Sequence, residues 1–124
     1  MTGGRARGRE RGQSTAEFAL ALPVVVLALL ALVQVGVLVR GRVAVEHAAH
    51  EAVRAASVDR DPDAARVAAH RVLPDASVTV DDRPAVGEPI GVEVRSRVET
   101  RLPLVGALFP DPEFRARAEM RVER

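Results

Sequence analysis

Three hydropathy patterns follow one another along the chain. From Phe18 to Val39 the sequence FALALPVVVLALLALVQVGVLV is apolar on every side of a helix, interrupted only by Pro23, Gln34 and Gly36. As a helix its 22 positions rise about 33 Å, enough to cross a hydrocarbon layer about 30 Å thick. Pro23 falls in the first turns, where it bends a membrane helix without having to break it. Gln34 is uncharged and lies near the far end. Beyond Arg40 the apolar surface narrows to a stripe: Val45, Ala48, Ala49, Ala52 and Ala56 recur at i, i+3, i+4, i+7 and i+11. This spacing predicts that the helix continues over residues 43–57, with Glu46, His47, His50, Glu51 and Arg54 covering much of the remaining surface. Alanine at 48, 52 and 56 permits close approach of another element, either the core of the same domain or a neighbouring subunit.

Ser57 and the Asp59–Asp63 region are expected to end this helix, with Pro62 as a breaker, and a second helix is expected over Ala64–Leu73, stopping before Pro74. The period then changes to two. Ala76, Val78 and Val80 alternate with Ser77, Thr79 and Asp81. Ile90, Val92, Val94 and Val98 share one face, opposite Glu93, Arg95, Arg97, Glu99 and Arg101. Phe114, Ala116, Ala118, Met120 and Val122 likewise alternate with Arg115, Arg117, Glu119, Arg121 and Glu123. Such alternation describes antiparallel strands with one buried and one charged face. A turn is expected from Arg83-Pro84 to Glu88-Pro89, and a longer connection over Leu102–Pro112 with a helical turn at Leu104–Phe109. The fold class is therefore α+β: a long N-terminal transmembrane helix extended outside the membrane and packed on a small antiparallel sheet. Strand order stays open at this point, and residues 1–11 are the one tract expected to lack structure.

Composition sharpens this picture. Outside the span the aromatic residues are Phe109 and Phe114, and the chain has no Trp or Tyr. A domain this small with so little large apolar surface is marginal alone, so packing against partner chains would help it. Absence of cysteine excludes a disulfide framework, a thiolate metal site and a thiol nucleophile. Net charge is +1, with signs interleaved, which provides no broad basic field for nucleic acid. Arg5, Arg7, Arg9 and Arg11, offset by Glu10, precede the span and favour a cytoplasmic N-terminus, although Arg40 and Arg42 on the other side reduce the asymmetry. A basic tract directly before a span suits orientation control and anionic-lipid contact better than nucleic-acid recognition. An ordinary secretory signal fits less well. The apolar run exceeds the usual 7–15 residues and ends at Arg40-Gly41-Arg42, not at small residues suited to cleavage.

Within Gly12-Gln-Ser-Thr-Ala-Glu17-Phe18-Ala-Leu-Ala-Leu-Pro23, a carboxylate stands at the entrance to the span. Mid-helix it would cost about 2.5–3.5 kcal/mol on insertion scales; at the edge it costs less. Ser14 and Glu17 have the spacing of a capping box, which alone accounts for both residues. A basic leader, a glycine, four residues, Glu-Phe and about twenty apolar residues also resemble the class III signal of type IV pilin-like proteins. That resemblance implies cleavage between Gly12 and Gln13 by a prepilin peptidase on the cytoplasmic side. It further implies docking through Glu17, Phe18 and Pro23, with the Glu17 carboxylate meeting a neighbouring subunit's new N-terminal amine. Two charges in a poorly hydrated setting are cheaper paired than alone.

The resemblance narrows to the TadE-like family of tight-adherence pilus pseudopilins. Residues 17–23, Glu-Phe-Ala-Leu-Ala-Leu-Pro, resemble its opening signature, and residues 48–56, Ala-Ala-His-Glu-Ala-Val-Arg-Ala-Ala, resemble its alanine-rich stretch. Val33-Gln34-Val35-Gly36 departs from the acidic–aromatic pair these proteins often carry before glycine. The resemblance implies three regions: a cytoplasmic leader over residues 1–12, a transmembrane helix over 13–42 and an extracytoplasmic pseudopilin domain over 43–124. Implied partners are a prepilin peptidase, other pilus subunits and pseudopilins, an inner-membrane assembly platform and membrane lipid. The alternative is an uncleaved single-span protein carrying an extracytoplasmic binding module.

Little in the chain points to catalysis. His47 and His50 lie on one helix side beside Glu46 and Glu51. However, His-Ala-Ala-His-Glu matches neither zinc-protease pattern, and His70 is remote in sequence. Glu46–His50 and His47–Glu51 ion pairs on a wet face explain the same residues. Ser14, Ser57, Ser77 and Ser96 stand in no nucleophile motif, and the glycines form no phosphate loop. No enzyme activity, cofactor or metal is expected.

Overall fold

The structure, a computed structural model, describes residues 7–98 and 111–123. Its backbone divides into two compact units, Met1–Gly36 and Val37–Arg124. Helix α1 spans Arg7–Val58.

In the first unit α1 presents apolar side chains outward: Phe18, Leu20, Leu27 and Leu32 are all exposed, Leu20 by 77%. The helix is long and apolar enough to cross a membrane, and its most apolar stretch is not buried by the protein itself. An aliphatic surface of this kind is favourable in lipid and costly in water, which is the profile of a membrane anchor. Pro23 is accommodated without interrupting the helix. Two expectations are corrected. The tract expected to lack structure is already helical from Arg7, leaving residues 1–6 outside the described residues. Ser14 therefore lies inside α1, so its spacing with Glu17 does not open a helix.

The second unit holds the remainder of α1, then α2 (Pro62–Val72), β1 (Ser77–Val80), β2 (Pro89–Arg97) and β3 (Glu113–Arg121). The strands form an antiparallel meander in the order β1-β2-β3. Val78 pairs with Val94, and Val92 pairs with both Val80 and Ala118. This register aligns the apolar faces of the strands. Val45, Ala48, Ala49, Ala52 and Ala56 of α1 are buried with Ile90, Val92, Val94, Ala118 and Val122 in one core, joined by Ala65 and Ala69 of α2. Small side chains on α1 compensate for the scarcity of large ones by letting helix and sheet approach closely.

The helical stripe is wider than expected, because Val53 and Ser57 are each 0% exposed. Ser57 is tolerated there because its hydroxyl donates to the Arg54 carbonyl at 2.8 Å. On β3, Phe114 and Ala116 are half-buried, Ala118 is buried and Met120 remains 36% exposed, while Val122 is buried just beyond the strand. Glu99, Arg101 and most of the Leu102–Pro112 connection, including the expected turn over Leu104–Phe109, lie outside the described residues.

Pro62 is not simply a breaker; it opens α2. Asp61 is the N-cap, accepting the Asp63 amide at 2.9 Å, and proline at the first helical position loses no intrahelical hydrogen bond. At the other end Leu73 N–H returns to the Ala69 carbonyl at 2.9 Å. His70 Nε2 lies 3.1 Å from the Ala76 carbonyl, tying α2 to the start of β1. A carbonyl only accepts, so this contact assigns the proton to Nε2.

Two glycines solve close steric problems. At Gly41 a Cβ would stand 2.7 Å from Val98 Cγ2 and 3.2 Å from Phe114 Cε2, so its absence lets the sheet end approach α1. Gly87 adopts φ 91° in the β1–β2 connection, a conformation disfavoured for side-chain-bearing residues. Its amide donates to the Val122 carbonyl at 2.8 Å.

The C-terminal end of α1 has no basic residue in its own last turn. Arg83 supplies the charge from the β1–β2 connection, its Nη1 donating to the carbonyls of Ala56 at 2.7 Å and Asp59 at 2.5 Å. A cation there satisfies helix-end acceptors and complements the negative end of the helix dipole. Arg83→Ala is expected to destabilise the second unit by about 1–2 kcal/mol. In a thermal melt of the full chain in micelles, each kcal/mol should lower Tm by about 4–8 °C. An unchanged Tm would show that the cap contributes nothing.

Candidate functional site

The residues expected to carry processing and docking lie within α1 around the start of its apolar run. Gln13, Glu17, Phe18 and Pro23 are all exposed. Gln13 Nε2 donates to Glu17 Oε1 at 3.3 Å, an i,i+4 contact within one helix. The acid is thus positioned one turn from the residue that would become the new N-terminus. The peptide bond between Gly12 and Gln13 lies inside α1.

Ala48, Ala52 and Ala56 occupy a different setting. They are buried in the second unit's core, with exposures of 0%, 0% and 4%. Within that unit they are core residues and offer no exposed packing face.

The histidines do not form a metal constellation. Glu46 accepts from Arg42 Nε at 2.8 Å, replacing the expected Glu46–His50 pair. Among the described residues no group of three or more metal-ligating side chains converges. His70 is engaged by Ala76 as described above. A shallow cleft of about 230 Å³ borders His50, Arg42, Glu46 and residues 115–118. It brings no nucleophile and base together.

The charged face of the sheet contains an arrangement that alternation alone did not reveal. Arg117 reaches from β3 across β2 to Asp81 at the end of β1, with Nη2 2.5 Å from Oδ2, and Nε lies 3.2 Å from Glu119 Oε1. Gly91 lies underneath on β2. A Cβ there would collide with both members of the Arg117–Asp81 pair. The hydrogen bond Arg117 donates to Asp81 first, then the one it donates to Glu119, raises the Arg117 pKa and reinforces its permanent charge. The spacing Asp81–Gly91–Arg117 has no recognisable sequence signature, because it depends on strand order.

Comparison with curated proteins and with solved structures finds no match to this chain. Residues 12–54, from the glycine before the expected cut through the apolar run and most of the alanine stripe, match the family model described as TadE-like protein.

Proposed function

We propose that this chain is a minor pseudopilin used in assembly of a tight-adherence (Flp-type IV) pilus, with a structural and not an enzymatic role. The observation that carries this reading is the TadE-like match over residues 12–54, which covers the glycine, the acid, the span and most of the small-residue stripe in order. Residues 1–12 are a cytoplasmic leader, residues 13–42 span the cytoplasmic membrane, and residues 43–124 fold outside it. A prepilin peptidase cuts between Gly12 and Gln13, leaving the apolar helix attached. Glu17 then guides docking onto another subunit, Phe18 supplies apolar contact and Pro23 shapes the helix. Other pilus subunits and an inner-membrane platform are the partners. Mass spectrometry of the protein's N-terminus from native membranes tests the proposal. A terminus at Gln13 is expected; Met1, Thr2 or a start beyond residue 40 overturns it.

One observation favours a second reading, an uncleaved single-span protein with an extracytoplasmic binding module. Helix α1 continues through residues 12 and 13, which places the bond to be cut within regular hydrogen-bonded backbone. A bulky residue in place of Gly12 separates the two readings. Accumulation of precursor with loss of pili supports processing, whereas unchanged size and normal pili support the uncleaved module.

A further inference from the structure

In the second unit α1 and β3 run side by side in the same direction. Near its start, Arg42 Nη1 donates to the Arg115 carbonyl at 3.3 Å, and Gly41 adjoins Val98 and Phe114. Near the end of α1, the Glu123 amide donates to the Ser57 carbonyl at 2.9 Å. One end of the unit therefore gathers Arg40, Arg42, Arg95, Arg97 and Arg115, and the other gathers Asp59, Asp61, Asp63, Asp82 and Glu88.

At the arginine end Glu46 pairs with Arg42 and Glu93 with Arg95, while a single acid, Glu113, serves two arginines. Glu113 lies 3.8 Å from Arg97 and 3.5 Å from Arg115, so one carboxylate faces two guanidinium groups. Arg95 and Arg115 stand directly opposite in the β2–β3 register, Arg95 paired with Glu93 and Arg115 with the Glu113 it shares with Arg97. Arg97 and Arg115 remain exposed, with 69% and 60% of their side-chain surface accessible. Among the described residues Arg40 has no acidic partner.

We propose that Arg40, Arg42, Arg97 and Arg115 form a rim that binds the phosphate headgroups of anionic phospholipid in the leaflet from which the unit emerges. This inference rests on the membrane-anchor reading of α1. The apolar run ends at Val39, so chain connectivity alone brings the headgroup layer next to Arg40 and Arg42. Guanidinium groups match phosphate oxygens in charge and bidentate geometry. The β2–β3 connection also leaves and returns at the arginine end, where the Val98 amide meets the Pro112 carbonyl at 3.1 Å.

Because the chain has no cysteine, single reporter sites can be introduced cleanly. Ser77→Cys marks the arginine end opposite Arg95, and Val86→Cys marks the exposed β1–β2 connection at the other end. The full chain, fluorophore-labelled at one site, is placed in nanodiscs containing a headgroup quencher in either phosphatidylcholine or a phosphatidylcholine–phosphatidylglycerol mixture. Quenching at position 77 is expected to increase in the anionic discs and to fall with added salt, while position 86 stays unchanged. Arg40→Gln, Arg97→Gln and Arg115→Gln should each reduce the docked-to-free ratio by about five-fold. Equal quenching in both lipids, or no response to the combined substitutions, overturns the rim while leaving the anchor intact. Failure of the chain to enter discs at all overturns both.

Discussion

Ala52→Leu is expected to destabilise the second unit by about 3 kcal/mol, the upper part of the usual range for overpacking a filled core. Ala52 is 0% exposed, between Ala48 and Ala56 on the α1 face that shares a core with Val92 and Val94. Leucine adds three carbon atoms where small side chains set the helix–sheet separation. It must force strained rotamers or move α1 away from the strands. The unit has few large side chains to absorb that movement. Denaturant unfolding of the full chain in micelles, read through amide exchange at Val92 and Val94, measures the loss. Ala52→Ser provides the comparison, since it changes volume much less. If Ala52→Leu leaves those amides fully protected but blocks assembly, the stripe is a subunit-packing face and its placement in the core is wrong.

The span, the strand faces and the alanine stripe were legible because each is a local period. A 22-position run broken only by Pro23, Gln34 and Gly36 marks a helix apolar enough to cross a bilayer, and alternation identifies which side of a strand is buried. Neighbours are different. A period of two fixes the face of β1, β2 and β3 but not their order, which appeared only in the register. Pro62 shows a second limit, because a proline that ends one helix and a proline that opens the next look alike without the Asp61 cap geometry. Arg83 lies 27 residues from the Ala56 carbonyl it caps, and Arg117 lies 36 from Asp81. No local pattern could assign either contact. The Gly12–Pro23 motif was readable for the opposite reason: its glycine, acid and apolar run are contiguous. What that motif could not indicate was the helix already under way at Arg7.

Glu17→Gln should leave the chain processed and membrane-bound but reduce its incorporation into pilus assemblies by about two to four orders of magnitude. On the proposed function, the cut creates an α-amine on Gln13, and an acid on a neighbouring subunit neutralises it in a poorly hydrated setting. Removing one member of such a pair leaves the other charge uncompensated, at a cost of about 3–5 kcal/mol. Glutamine preserves the shape of the side chain and its ability to accept from Gln13, which now donates to Glu17 at 3.3 Å. The substitution thus isolates charge from helix packing. Glu17→Ala should match it, and Glu17→Asp should retain an intermediate yield because the charge remains but the reach shortens. Immunoblots of sheared surface fractions and membranes measure incorporation. N-terminal mass spectrometry of each variant shows whether the cut still occurs. A Gln13 terminus with lost incorporation places the defect in docking. Normal pili from correctly processed Glu17→Gln would remove the charge-pairing step from the proposal, because the acid would then be dispensable where its electrostatic role should matter most.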